Sequence, residues 1–242
     1  NVFILHPFNK VSEVQRKQMT TVLDDNIFNI AVQGTFDDCQ KIVKDLFIDE
    51  EIQKKTSLTA INSINWARIM AQIVYYFWSF IQLDEKEISF VVPSGNFGNI
   101  FSAHVAQNMG LPINNLYVAT NHNDILHQII SLGKMNINKV KETYSPSMDI
   151  QISSNFERQI FESAGNDSLL VNKIMNSFQN NKSYKFNSTM LNSFKNIYRS
   201  DAISNKETLE TIKLFKKKYD YLADPHTATG LTILDELKNL DH

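Results

Sequence analysis

Strand-like and helix-like runs alternate along the first 120 residues, and no other feature of the chain constrains its fold more. Val2–Leu5 and Asn26–Val32 read as strands, followed by helical stretches at Ser12–Leu23 and from Thr35 to about Phe47. A long helix from about Asn62 to Gln82, a strand Ile88–Val92, a helix Gly98–Met109 ended by Gly110-Leu111-Pro112, and a strand Leu116–Ala119 continue the series. Such alternation with short connections predicts an α/β fold: a three-layer domain whose parallel sheet is covered by helices on both faces. Ser12 and Thr35 are the expected N-caps, with Asp37 and Asp38 at the positive end of the second helix. After residue 150 the pattern changes. Asn155–Ala164, Asp167–Gln179, Thr189–Tyr198, Ser204–Tyr219 and Pro225–Leu240 all read as helices.

A chain of 242 residues buries a substantial core without a disulfide or structural metal. Hydrophobic residues at 43% and charged residues at 21% are ordinary globular values. The net charge of −2 offers no global electrostatic argument for nucleic acid or a membrane surface, so neither is expected as a partner. The most apolar stretch, Ile61–Leu83, is interrupted by Asn62, Asn65, Arg68 and Gln72, which favours a buried helix over a membrane span. Tyr75, Tyr76, Phe77 and Trp78 on that helix are expected in the core. Cys39 is the single cysteine and has acidic neighbours that raise a thiol pKa, so it reads as a structural thiol in a reducing cytoplasm. Asn1 opens directly into a strand-like run without signal-peptide features, which reads as a cut through a longer protein. His122 and His127, five apart, do not share a helix face, and no metal site is expected.

The chemistry is concentrated in Phe90-Val91-Val92-Pro93-Ser94-Gly95-Asn96-Phe97-Gly98-Asn99. A buried strand ends at Pro93, a small-residue loop follows, and a helix starts near Gly98. Glycines permit positive φ, which lets successive N–H groups converge on an anion, and the helix start adds further unpaired N–H groups. Ser94, Asn96 and Asn99 supply side-chain donors. The loop contains no lysine or arginine and matches neither G-x-G-x-x-G nor G-x-x-x-x-G-K-[ST], so NAD and ATP are poor fits. The same pattern also fits a plain strand-to-helix turn, although strand C-terminal ends are where open α/β sheets bind ligands.

Ser94-Gly95-Asn96-Phe97-Gly98-Asn99 resembles the loop that holds the phosphate of pyridoxal 5'-phosphate (PLP) in threonine synthases. Val32–Gln40, Leu58–Phe77, Ala119–Asp124, Ser145–Ile150, Ser153–Arg158 and Asp224–Ala228 resemble other characteristic stretches of the same family, in family order over nearly the whole chain. The likeness is to the branch shared by bacteria and fungi. It implies PLP fold type II, with residues 1–150 as the α/β cofactor-binding part of a large domain. Residues 151–242 would then be a mostly helical subdomain that returns to that domain. It also implies conversion of O-phospho-L-homoserine and water to L-threonine and phosphate, with PLP held by Ser94, Gly95, Asn96, Phe97, Gly98 and Asn99.

The family's Schiff-base lysine lies in a Phe-Lys-Asp context that does not occur in this sequence, so no catalytic residue is expected within it. Apolar surface left where the absent part packs would favour self-association. Asn62, Ser63, Asn65, Asp149, Arg158 and His226 are candidate substrate-side groups. Each has a simpler role as well: Asn62 or Ser63 as a helix cap, Asn65 in a polar stripe with Arg68 and Gln72, Asp149 and Arg158 in capping or ion pairing, His226 at a helix start behind Asp224-Pro225. Two other functions remain open at this level, namely phosphate elimination without threonine formation and a non-catalytic phosphate-binding fragment.

Overall fold

The structure, a computed structural model, describes residues 1–61 and 65–240, with side chains as far as residue 237. The chain divides into two compact units, Asn1–Thr59 and Ala60–His242. The change of pattern after residue 150 lies within the second unit.

In the first unit, β1 (Val2–Pro7) and β2 (Ile27–Val32) pair in parallel, and α1 (Glu13–Thr20) lies between them in sequence. Ser12 and Gln15 close a reciprocal capping box on α1. Thr35 and Asp38 do the same for α2 (Phe36–Ile48), which packs on β1. A short α3 (Glu50–Lys55) follows, capped by Asp49. Phe3 and Phe28 stand opposite in the ladder and stack at 5.0 Å. Cys39 is buried on α2, and burial, followed by the nearby Asp38 carboxylate, pushes its thiol pKa up.

The second unit begins with α4 (Trp66–Ile81), then β3 (Ile88–Pro93), α5 (Gly98–Asn108), β4 (Ile113–Thr120), α6 (Ile125–Leu132) and β5 (Lys134–Asn136). A 3₁₀ turn (Pro146–Met148), α7 (Phe156–Ser163), α8 (Ser168–Asn181), β6 (Ser183–Lys185), α9 (Ser188–Ile197), β7 (Tyr198–Ala202), α10 (Asn205–Tyr219) and α11 (Pro225–Leu240) complete it. β3, β4 and β7 form a parallel sheet in the order β3-β4-β7, while β5 and β6 make a small antiparallel pair.

Strand alternation divides the sheet's side chains between two layers. Phe90, Val92, Leu116 and Val118 join a core built with Ile69, Ile73 and Tyr76 of α4, Ile100 and Phe101 of α5, and Ile125 and Ile129 of α6. Val91, Tyr117 and Ala119 pack instead with Ile203 and with Ile233 and Leu237 of α11. This is the three-layer arrangement that the alternation predicts.

Three expectations need correction. The described strands fall into separate ladders rather than one sheet. The stretch read as helical through Tyr198 ends one residue earlier, where Tyr198 opens β7. Tyr-Arg-Ser-Asp-Ala carries little strand signal, and it is extended because the edge of β4 needs partners for its N–H and C=O groups. Finally, α4 buries one face only. Tyr76 is buried and Phe77 packs against the core, whereas Tyr75 and Trp78 are exposed, Trp78 together with Met70, Val74 and Ile81. At about 100° per residue, a helix packed on a single neighbour leaves its far side in solvent.

Candidate functional site

The loop after β3 leaves the sheet as soon as the Ser94 N–H has donated to Ala119 O (2.8 Å). The left-handed residue in it is neither glycine: Phe97 has φ 64°, and neither Gly95 nor Gly98 has positive φ. The conformation is held by packing. The Phe97 ring, 1% exposed, meets Phe156 at 4.9 Å and Tyr198 at 5.2 Å, both edge to face. Gly95 serves close approach, since a Cβ there would lie 3.1 Å from both Ser147 O and Met148 Cα of the 3₁₀ turn.

This geometry concentrates unpaired donors. Among the described residues, no hydrogen bond engages the backbone N–H of Gly95, Phe97, Gly98 or Asn99. Gly98 and Asn99 open α5, where the first N–H groups have no intrahelical acceptor. Ser94 Oγ is buried without a partner, as are Ser153 Oγ and Asn155 Nδ2. An apolar ligand would leave the loop donors unsatisfied, whereas the oxygens of an anion such as a phosphate ester can accept from the loop N–H groups and Ser94 Oγ.

Neighbouring segments brace the loop. The Asn155 N–H donates to Asn96 O (3.2 Å), and Ser154 Oγ donates to Asn96 Oδ1 (3.3 Å). The Asn99 side chain fastens α5 to α4: its Nδ2 donates to Gln72 Oε1 (2.8 Å) and its Oδ1 accepts from the Tyr76 hydroxyl (2.6 Å). Burial raises the Tyr76 pKa, so that hydroxyl stays a donor.

Of the substrate-side candidates, Asn62 and Ser63 lie outside the described residues. Asn65 caps α4, accepting from the Ala67 N–H (2.9 Å) and donating to Ala60 O (2.8 Å), and Arg68 donates to Ile61 O (2.7 Å). Asp149 anchors the segment after β4. Its Oδ1 accepts from Thr143 Oγ1 (2.6 Å), Asn121 Nδ2 (2.8 Å) and Asn123 Nδ2 (3.0 Å), and its Oδ2 from the Thr143 N–H (2.9 Å). Arg158 donates from Nε to Asn155 Oδ1 (3.1 Å) and lies over the Trp66 ring, 5.4 Å from its centre; burial, opposed by Glu157, lowers its pKa. His226 accepts the Ser147 N–H at Nε2 (3.1 Å).

The sequence reading missed the Thr143–Ser145 contribution and the cradle role of the 3₁₀ turn. Pro146 was the only local signal for that turn.

Comparison with known proteins shows what the chain is similar to. The chain is 46% identical over 240 residues to the threonine synthase of Pseudomonas aeruginosa, covering 98% of this chain and 51% of the relative. The chain is a threonine synthase homologue. It is also 43% identical over 255 residues to the Saccharomyces cerevisiae threonine synthase, covering 98% of this chain and 50% of that protein. The structure of PLP-bound threonine synthase from Brucella melitensis superposes with a TM-score of 0.86 at 43% identity, over 98% of this chain and 51% of that one. The fold is therefore that of the type II PLP enzymes, and the chain spans about half the length of the threonine synthases it matches. No family model matches the chain. Among the described residues, no helix is long and apolar enough to cross a membrane.

Proposed function

We propose that this chain is the cofactor-phosphate-binding portion of a threonine synthase, which converts O-phospho-L-homoserine and water to L-threonine and phosphate with PLP. The observation that carries the proposal is the convergence of Ser94 Oγ with the unpaired N–H groups of Gly95, Phe97, Gly98 and Asn99, on a loop fixed by the buried Phe97 ring. When bound, PLP supplies an electron sink for deprotonation beside the substrate amine.

The chain's own residues bind and orient. The N–H groups of Gly95 and of Phe97 to Asn99, with Ser94 Oγ, hold the cofactor phosphate through neutral dipoles rather than a paired cation. Asn96 is set by Ser154 and Asn155, and Asn99 by Gln72 and Tyr76, so the cradle is ordered before the ligand arrives. Arg158, which donates to Asn155 Oδ1, is the cation we assign to a substrate anion. Asn62 and Ser63, with Asn65, Asp149 and His226, complete the proposed substrate side, the last three acting through the backbone they order.

The test uses the full-length protein. Ser94→Ala removes the buried hydroxyl without changing the backbone, and PLP affinity should fall roughly tenfold or more, the loss expected for a hydrogen bond to a charged group. Unchanged affinity removes Ser94 from the cradle. Incubation of the parent protein with O-phospho-L-homoserine should release phosphate and L-threonine in equal amounts. Phosphate with 2-oxobutyrate and no threonine would make the protein a phospho-lyase instead.

A further inference from the structure

The 3₁₀ turn that closes over Gly95 has a second attachment, on a different helix. Ser147 presents its carbonyl oxygen and Met148 its Cα to within 3.1 Å of where a Gly95 side chain would begin. Within its own segment the turn is held by the Met148 N–H donating to Ser145 O (3.0 Å), and Ser145 is buried in the network around Asp149 and Asn121. From the other direction, the Ser147 N–H donates to His226 Nε2 of α11 (3.1 Å). A backbone N–H can only donate, so Nε2 carries a lone pair. The imidazole is therefore neutral and its proton sits on Nδ1, which faces Asp224 Oδ1 at 3.4 Å.

Asp224 is itself fixed, because it caps α11 by accepting the N–H groups of His226 (2.9 Å) and Thr227 (3.2 Å) and the Thr227 hydroxyl (2.5 Å). Four residues after His226, Gly230 sits against the Pro93 ring, and a Cβ there would lie 3.2 Å from Pro93 Cδ. One helix start thus touches both the last residue of β3 and the turn that covers the loop following it.

We propose that neutral His226 is a positioning residue for the Ser94–Asn99 cradle, its Nε2 holding the Pro146–Met148 turn against Gly95 so that the loop N–H groups stay convergent. The inference rests on the reading of that loop as the cofactor-phosphate site. His226 need not touch cofactor or substrate to act. It works as a bracket, with Asp224 setting the tautomer and Ser147 receiving the restraint.

The experiment compares His226→Leu, which lacks an acceptor, with His226→Gln, whose Oε1 replaces Nε2, in the full-length protein. Hydrogen–deuterium exchange of a peptide spanning Ser147 reads the bracket directly. The PLP dissociation constant, followed by the cofactor's visible absorbance, reads its effect on the cradle. In the Leu variant, exchange should quicken and PLP affinity should weaken, each roughly three- to tenfold, the range for one lost hydrogen bond. The Gln variant should restore both to within about twofold. If Leu prevents folding, His226→Ala carries the same expectations.

Unchanged exchange at Ser147 overturns the bracket. Faster exchange with unchanged PLP affinity overturns its coupling to the loop. Failure of the Gln variant to restore either readout assigns the histidine a packing role and overturns the proposal as well. A parent protein that binds no PLP at all refutes the cofactor reading instead, and Ser147 exchange then judges the bracket alone.

Discussion

Phe97 and Tyr198 meet edge to face with 5.2 Å between ring centroids, which ties the Ser94–Asn99 loop to the first residue of β7, far along the chain. Both rings are essentially solvent-free, and Phe97 keeps φ 64° there. A left-handed conformation costs a non-glycine residue about 1–2 kcal/mol, and burying a phenylalanine returns about 1.5–3 kcal/mol.

Phe97→Ala should therefore lower unfolding free energy by about 3–5 kcal/mol. Phe97→Gly should be no worse than the alanine variant. Glycine adopts this φ without strain, which offsets the roughly 0.5–1 kcal/mol by which it is usually the poorer residue. Urea denaturation of both variants checks the order; a glycine variant clearly below alanine would contradict the left-handed assignment.

Gly95→Ala should destabilise the protein by about 1–3 kcal/mol, because the new methyl meets backbone atoms of Ser147 and Met148 rather than a movable side-chain end. The turn must retreat, so cofactor affinity should fall with stability. Thermal unfolding and PLP titration on the same variant test this together.

Asp149→Asn replaces one acceptor oxygen by a donor facing groups that already donate. Thr143, Asn121 and Asn123 all direct hydrogens at this carboxylate. The expected loss is about 1–3 kcal/mol, read as a lower denaturation midpoint with an unchanged slope.

Cys39 should alkylate slowly. Burial, and then the Asp38 carboxylate, raise its pKa, so the thiolate is scarce at neutral pH. Iodoacetamide at pH 7.5 should modify the folded protein at least about tenfold more slowly than the urea-unfolded chain. Equal rates would show that the thiol is accessible.

Glu207 closes the capping box of α10, and hydrogen bonds with the Ser204 side chain and backbone hold its carboxyl below the ordinary value of 4.5. A folded-state pKa below the unfolded one contributes stability that is present above about pH 4.5 and is lost as pH falls through the folded value. Glu207→Gln keeps the cap but not the titration. Its stability should depend less on pH below 4.5 than that of the parent, with only a small change at pH 7. Parallel acid limbs in denaturation curves would remove Glu207 from the account.

The fold was legible wherever the signal was local. Ser12, Thr35 and Asp224 cap helices as their positions imply, and the strand-to-helix switch at Pro93–Gly98 falls where the small residues lie. The position of the loop was legible too, but the backbone conformation assigned to its glycines was not. The sequence pointed to glycine for the positive φ, and the structure puts it at Phe97. No local rule selects phenylalanine for that conformation; only the aromatic pocket of Phe156 and Tyr198 makes it favourable.

What the sequence determined by itself is the set of local commitments: which segments are helical, where they are capped, and where a strand hands over to a helix start with spare N–H groups. These depend on residues within a few positions of one another, and their energies are nearly independent of the rest of the chain. The tertiary structure decided that β7 completes the edge of β4, that α11 lies opposite α5 and α6, and that Ser147 and His226 meet beside Gly95. Each of those contacts joins residues far apart in sequence. Each is favourable only after the chain has closed the intervening loops, so no short window of residues carries its signature.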